Sequence, residues 1–189
     1  MTDFREDINN ALEILRKGGV ILYPADTVWA LGCDATNSKA VQRIIEIKKR
    51  KKQQGMLVLL ENINRVSSYI DDLPDVAFDI MELAVKPTTI VFEKAKNIAL
   101  NLLDSNGNIG IRITTEPFTQ QLIQRFRKPV VLSSANISGQ ASPENFAQIP
   151  EEIKQAVDYT VSYRQSEKQS HRSSSIIQLG SGGLVKVIR

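Results

Sequence analysis

Short apolar runs and stretches of helical periodicity take turns along the first 135 residues, and that alternation restricts the fold more than any other feature of the chain. Phe4, Ile8, Ala11, Leu12 and Leu15 recur at helical spacing ahead of the stop signal Gly18-Gly19. Residues 20–23, closed by Pro24, read as a buried strand. Ser38 is placed to cap a helix carrying Val41, Ile44, Ile45 and Lys48. Residues 56–60 read as another buried strand, and helices are expected over 63–70 and 74–85, with Pro74 suited to a first helical turn. Strands are expected at 88–92, 109–113 and 130–134, with a helix over 117–126 between the last two. Three more apolar runs, at 159–161, 175–179 and 184–188, read as strands bunched near the end. The pattern predicts an α/β fold whose twisted sheet is mixed parallel and antiparallel and flanked by helices. With 189 residues, 42% of them apolar, and no composition shift or internal repeat, it predicts a single domain over 1–189.

Several chemistries are excluded by counting. The chain has one Cys and one His, Cys33 and His171, so an internal disulfide is impossible and a Cys/His zinc site lacks ligands. A triad with a His base would rest on His171 alone, which reads as an exposed residue of the polar stretch 162–174. That stretch is either a lid or a solvated loop. Cys33 reads as a small buried side chain. The start is polar and acidic, unlike a signal peptide. The longest aliphatic run, 56–60, falls far short of the ~20 residues that span a bilayer. A cytoplasmic protein is expected. Its net charge of +3 is too small for wholesale nucleic-acid wrapping.

Three segments could carry chemistry. Lys48-Lys49-Arg50-Lys51-Lys52 is the densest run of charge, readable as a solvated helix end or as a polyphosphate cradle. On a helix, positions i and i+2 lie ~200° apart, so Lys48 and Arg50 converge only if the helix ends near Lys49. Residues 129–139 run from an apolar strand into Ser133-Ser134-Ala135-Asn136-Ile137-Ser138-Gly139. In an extended chain Ser134 and Asn136 face the same side, beyond a strand's carboxyl end where α/β sheets bind ligands; the alternative is an ordinary polar turn. Residues 23–35 place Asp26 and Thr27 near the same rim, with Trp29 reading as core. Arg112 and Arg189 sit on apolar strands, where an arginine usually takes the exposed face but can also clamp a carboxylate or phosphate. No Walker A, dinucleotide or kinase pattern is present.

Together these segments resemble the YrdC-like family of L-threonylcarbamoyladenylate synthases. The family's Y-P-T-[DE]-T-V-Y-G-L-G-C-D-A string is similar to residues 23–35. Its K-x-R element resembles Lys48-Lys49-Arg50, its G-x-R strand Gly110-Ile111-Arg112, and its S-A-N-x-S-G string Ser134 to Gly139. Its late P-S-T-[IV]-[IV]-D string resembles residues 173–178, and a terminal arginine matches Arg189. Trp29-Ala30, Lys51, Gly55-Met56, Ser173 and Gln178 depart from the pattern, and Lys86-Pro87-Thr88-Thr89 shortens the usual P-G-P-x-T. The resemblance implies an open concave cleft and condensation of L-threonine, bicarbonate or CO₂, and ATP to threonylcarbamoyl-AMP and pyrophosphate. The product then serves a tRNA threonylcarbamoyltransferase complex. It implies Lys48, Arg50, Ser134 and Asn136 as the catalytic set, Thr27, Arg112 and Ser174 on threonine, and Arg189 with that set on the nucleotide. Mg²⁺ is expected on the phosphates. Ending at Arg189, the chain is expected to lack the extra C-terminal domain of longer relatives. Two rival readings remain: a non-catalytic RNA-binding module of the same fold, and a paralogue adenylating another carbamate.

Overall fold

The computed structural model describes residues 4–51, 54–168, 174–180 and 184–188. Within them the alternation resolves into five α-helices and nine strands. These are α1 (Arg5–Arg16), β1 (Ile21–Pro24), β2 (Trp29–Gly32), α2 (Ser38–Ile47), β3 (Leu57–Leu60), α3 (Val76–Glu82), β4 (Thr88–Phe92), β5 (Ile109–Ile113), α4 (Pro117–Phe126), β6 (Val130–Ser134), α5 (Glu151–Ala156), β7 (Tyr159–Thr160), β8 (Ser175–Leu179) and β9 (Val185–Val187). The strands form one sheet in the order β7-β1-β2-β6-β3-β5-β4-β8-β9. The β3–β5, β4–β8 and β1–β7 pairs are parallel and the others antiparallel, so the mixed sheet expected from the late strands is present.

Strand alternation sends side chains to two faces. Val58 and Leu60 join Ile90, Phe92, Ile109, Ile111 and Val131 in a core closed by Val41, Ile44 and Ile45 of α2. On the opposite face Leu59, Val130 and Leu132 pack under Ile8, Leu12 and Leu15 of α1 and Phe118, Leu122 and Phe126 of α4. The α1–α4 pair covers only the β1, β2, β6 and β3 side of that face. Further along, Gly110, Arg112, Thr89 and Ile176 on β5, β4 and β8 lie open to a cleft. The uncovered half of one sheet face is therefore the concavity.

Several elements differ from the sequence expectation. β2 was not foreseen: all four of its residues are buried, so no polar alternation marks it. The cap of α2 is Asn37, whose Oδ1 accepts from Lys39 N and Ala40 N at 3.1 and 3.2 Å, while Ser38 is the first helical residue. Residues 63–70 form a 3-10 helix, Ile63–Ser68, not an α-helix. α3 stops short of residue 85, and Val85 is 99% exposed. α5 is a six-residue helix with only Ile153 buried, too little periodicity to be seen. No helix among the described residues is long and apolar enough to cross a membrane.

Candidate active site

Arg112 anchors the site. Its strand offers apolar neighbours on one side, and the guanidinium projects from the other into a shell of oxygen atoms. It is 2% exposed, so of the two readings of a strand arginine, an exposed face or a clamp, the exposed one is excluded. Nη1 donates to Asp26 Oδ1 at 2.9 Å and Thr27 Oγ1 at 3.0 Å, Nη2 to Ser174 Oγ at 2.8 Å, and Nε to Thr89 Oγ1 at 3.1 Å. Three hydroxyls thus accept from one cation. Thr89 and Ser174 share one hydroxyl proton between them at 3.2 Å. Convergent donors around a guanidinium suit a carboxylate. Asp26 neutralises the buried charge, with both partners almost fully enclosed.

Gly110 makes room beside this shell. It shares the cleft face with Arg112, and a Cβ there would lie 3.0 Å from Leu57 Cβ and 3.1 Å from Thr89 Cγ2. The cleft it floors has a volume of ≈ 390 Å³ and is lined by Thr27, Arg50, Arg112, Ser134 and Ser174 among others. That volume is in the range of small-molecule sites. The site lies over the sheet face and reaches the carboxyl ends of β1 and β6, rather than sitting at a rim of parallel strands alone.

The basic run comes apart at the end of α2. Lys48 is the C-cap and Lys49 takes a left-handed φ of 50°. Lys49 N donates to Glu46 O and Arg50 N to Ile45 O, each at 2.9 Å. This reversal, which usually uses glycine, ends the helix near Lys49 as the spacing required. Its consequence differs from the expectation for Lys48. Lys48 is 1% exposed and points inward. Its ammonium donates to Ser134 O, to Asn136 O at 2.7 Å and to Asn136 Oδ1 at 3.3 Å, which occupies its three protons. Burial first, and the like charge of Arg50 second, push its pKa down to about 7. Lys49 pairs with Glu152 at 3.1 Å on the surface, and Lys51 is exposed. Only Arg50 of the described cations in the run lines the cleft, its Nη2 held by Gly55 O at 2.5 Å. Gly55 itself needs a left-handed φ of 63° and packs against Asp104.

Ser134 and Asn136 do meet, by a different geometry. The chain bends after β6, with Asn136 N donating to Ser134 O at 2.9 Å, and Ser134 Oγ donates to Asn136 Oδ1 at 2.5 Å. Asn136 Nδ2 is committed to Gln140 O at 2.7 Å and Ile137 O at 3.1 Å. Asn136 is buried and supports Ser134, which faces the cleft.

The structure therefore gathers Thr27, Arg50, Arg112, Ser134 and Ser174 at one cleft and sets Lys48 and Asn136 directly behind Ser134. Arg189, His171 and Lys52 lie outside the described residues. Cys33 and Trp29 are core, as expected, and burial pushes the Cys33 thiol up, away from thiolate chemistry. Thr89 was missed. The signal existed, because alternation along β4 puts it on the Arg112 face. Among the described residues no group of His, Cys, Asp and Glu could hold a metal ion.

The Sua5/YciO/YrdC family model, described as telomere recombination, matches residues 13–189. A threonylcarbamoyl-AMP synthase of Pseudoalteromonas translucida is 35% identical over 154 residues, covering 80% of this chain and 82% of that relative. Another from Coxiella burnetii is 33% identical over 141 residues, covering 74% and 76%. Among solved structures, E. coli YciO matches with a TM-score of 0.84 at 26% identity, over 99% of this chain and 89% of that one. P. abyssi Sua5 complexed with L-threonine matches with a TM-score of 0.85 at 21% identity, over 97% of this chain. The chain spans about half of that protein, 54% of its length, and the likeness is one of fold.

Proposed function

Because the chain belongs to the Sua5/YciO/YrdC family, we propose that it is an L-threonylcarbamoyladenylate synthase, condensing L-threonine, bicarbonate or CO₂, and ATP into threonylcarbamoyl-AMP and pyrophosphate. One observation carries the reading: the buried Arg112 guanidinium, ringed by Thr27, Thr89 and Ser174 in a cleft that Arg50 and Ser134 also line. In this reading the ring binds the threonine carboxylate. A carbamate oxygen attacks the α-phosphorus of ATP and pyrophosphate leaves. Negative charge spreads over phosphate oxygens, and Arg50 meets it with a planar fork of donors while Ser134 Oγ offers a hydroxyl. No nucleophilic side chain is needed. Lys48 and Asn136 act behind the site by holding the Ser134 turn. Arg189 keeps its nucleotide role only through the resemblance.

The expected Mg²⁺ fits this donor set as a companion of the nucleotide, held on its phosphates with water rather than in a protein cage. Its chemistry there is to neutralise charge on the phosphates. A tRNA threonylcarbamoyltransferase complex in the cytoplasm takes the product onward. The basic run, which would contribute to the RNA-binding alternative, divides among its described residues between interior, cleft and surface instead of forming one basic patch. The test is pyrophosphate release by the purified chain. Release that requires both threonine and bicarbonate and falls at least a hundredfold in Arg50→Ala supports the reading. Release that ignores either substrate, or that survives the substitution, refutes it; an amino-acid panel detects a paralogue with another substrate.

A further inference from the structure

The turn between β1 and β2 carries Asp26 and Thr27, both of which reach Arg112. It is closed by Ala25 N donating to Val28 O at 3.2 Å, and the two carbonyls that lead into it are held by side chains from elsewhere. Thr119 Oγ1, on α4, lies 3.1 Å from Pro24 O, and Arg164 Nη1 donates to Ala25 O at 3.3 Å. Both holders meet on Glu116. Its Oε2 accepts from Thr119 N at 2.7 Å and from Thr119 Oγ1 at 2.8 Å, and its Oε1 faces Arg164 Nη1 at 3.7 Å. Glu116 is 5% exposed and does not line the cleft.

Capping α4 accounts for the Thr119 N–H contact alone. Two features exceed a cap. The single Thr119 hydroxyl proton is shared between Glu116 Oε2 at 2.8 Å and Pro24 O at 3.1 Å, a three-centre bond that ties the carboxylate and the turn to one side chain. Arg164 has a left-handed φ of 67°, a conformation that non-glycine residues keep only when their surroundings hold them. Glu116, Ala25 O and Glu167 are among the partners of its side chain. We infer that Glu116 is a positioning residue: through Thr119 and Arg164 it fixes the turn at 24–27 and so the aim of Asp26 and Thr27 at Arg112. Its kinetic consequence rests on the threonine reading above, because the ring that this turn completes is the one assigned to the threonine carboxylate.

The experiment uses Glu116→Ala, Glu116→Gln and Thr119→Val in the full chain, with two readouts. The first is steady-state pyrophosphate release. Losing one buried hydrogen bond corresponds to about a five- to tenfold change in an equilibrium, so KM for threonine rises about that much in Thr119→Val, which loses the bond to Pro24 O, and in Glu116→Ala, which releases Arg164 from its carboxylate. KM for ATP stays within twofold. Glu116→Gln keeps an acceptor for Thr119 and recovers part of the loss. A purely structural role would lower kcat and thermal stability together and leave the threonine KM alone, which overturns the inference. Equal rises in both KM values overturn it as well. The second readout is amide hydrogen exchange at Ala25 in the substrate-free protein, which is faster in Glu116→Ala and Thr119→Val. Unchanged exchange refutes the inference even where the wild type proves inactive with threonine, a result that by itself refutes only the functional reading.

Discussion

Replacing Lys48 by Met keeps the length of the side chain and removes its charge and three donors. Asn136 O then loses its Lys48 partner in the interior, while Ser134 O keeps Asn136 N–H and Asn136 Oδ1 keeps the Ser134 hydroxyl. One buried acceptor left without a partner costs ~1–3 kcal/mol. Desolvation of the ammonium offsets this loss where Lys48 is charged and vanishes where it is neutral, so the full ~1–3 kcal/mol is expected near pH 10. For a chain of this size that lowers the melting temperature at that pH by roughly 2–12 °C. The pH dependence has a definite sign. With Lys48 near 7 in the folded protein and 10.5 when unfolded, the unfolded chain binds the proton between those values and the folded chain does not, so wild-type stability gains from Lys48 as pH rises through that window. The Met variant lacks that gain, and the gap between the two proteins widens from pH 7 to pH 10. Urea unfolding at several pH values measures it. A variant as stable as wild type at every pH, or a gap that narrows as pH rises, would refute the reasoning.

Arg112→Lys leaves one ammonium to replace a fork that reaches four side chains, so kcat/KM for threonine falls at least tenfold while the KM for ATP moves less; titration calorimetry with threonine checks the same loss. Gly110→Ala forces a methyl group against Leu57 and Thr89 on the cleft floor. The expected overpacking of ~1–3 kcal/mol appears in denaturant unfolding, and threonine binding weakens with it because Thr89 must shift. Asn37→Ala removes the α2 cap at a cost of ~1 kcal/mol and lowers the melting temperature by about 2–4 °C without changing either KM.

Much of this arrangement is legible in the sequence, for reasons that can be named. The α1 and α4 stripes are visible because each helix buries one face against the same half of the sheet. β2 is invisible because both of its faces are buried, which erases the period-two signal. Helix geometry foresees a helix end near Lys49 and the small polar residues after β6 mark Ser134 as a site candidate, and Arg50 and Ser134 both line the cleft. The interior direction of Lys48 is not foreseen, since lysine is almost never fully buried unless paired and its partners are backbone carbonyls 86 and 88 residues away. Arg112 is named as a possible clamp, but its shell is not legible: the oxygens come from β1–β2, β4 and the residue before β8, and no local spacing encodes it.

That dispersion of partners has a kinetic meaning. Thr27 and Ser174 reach Arg112 across 85 and 62 residues of chain, and Thr89 across 23. Contacts this distant in sequence require large loops to close before they are rewarded, so they form late and slow the search. Only the whole span from Thr27 to Ser174 completes the ring, and a guanidinium buried before its oxygen partners arrive would be costly. The complete cleft therefore requires the long-range pairings to be in place. An amino acid that binds there binds only the completed fold, and in a refolding experiment its occupancy reports the arrival of the native state.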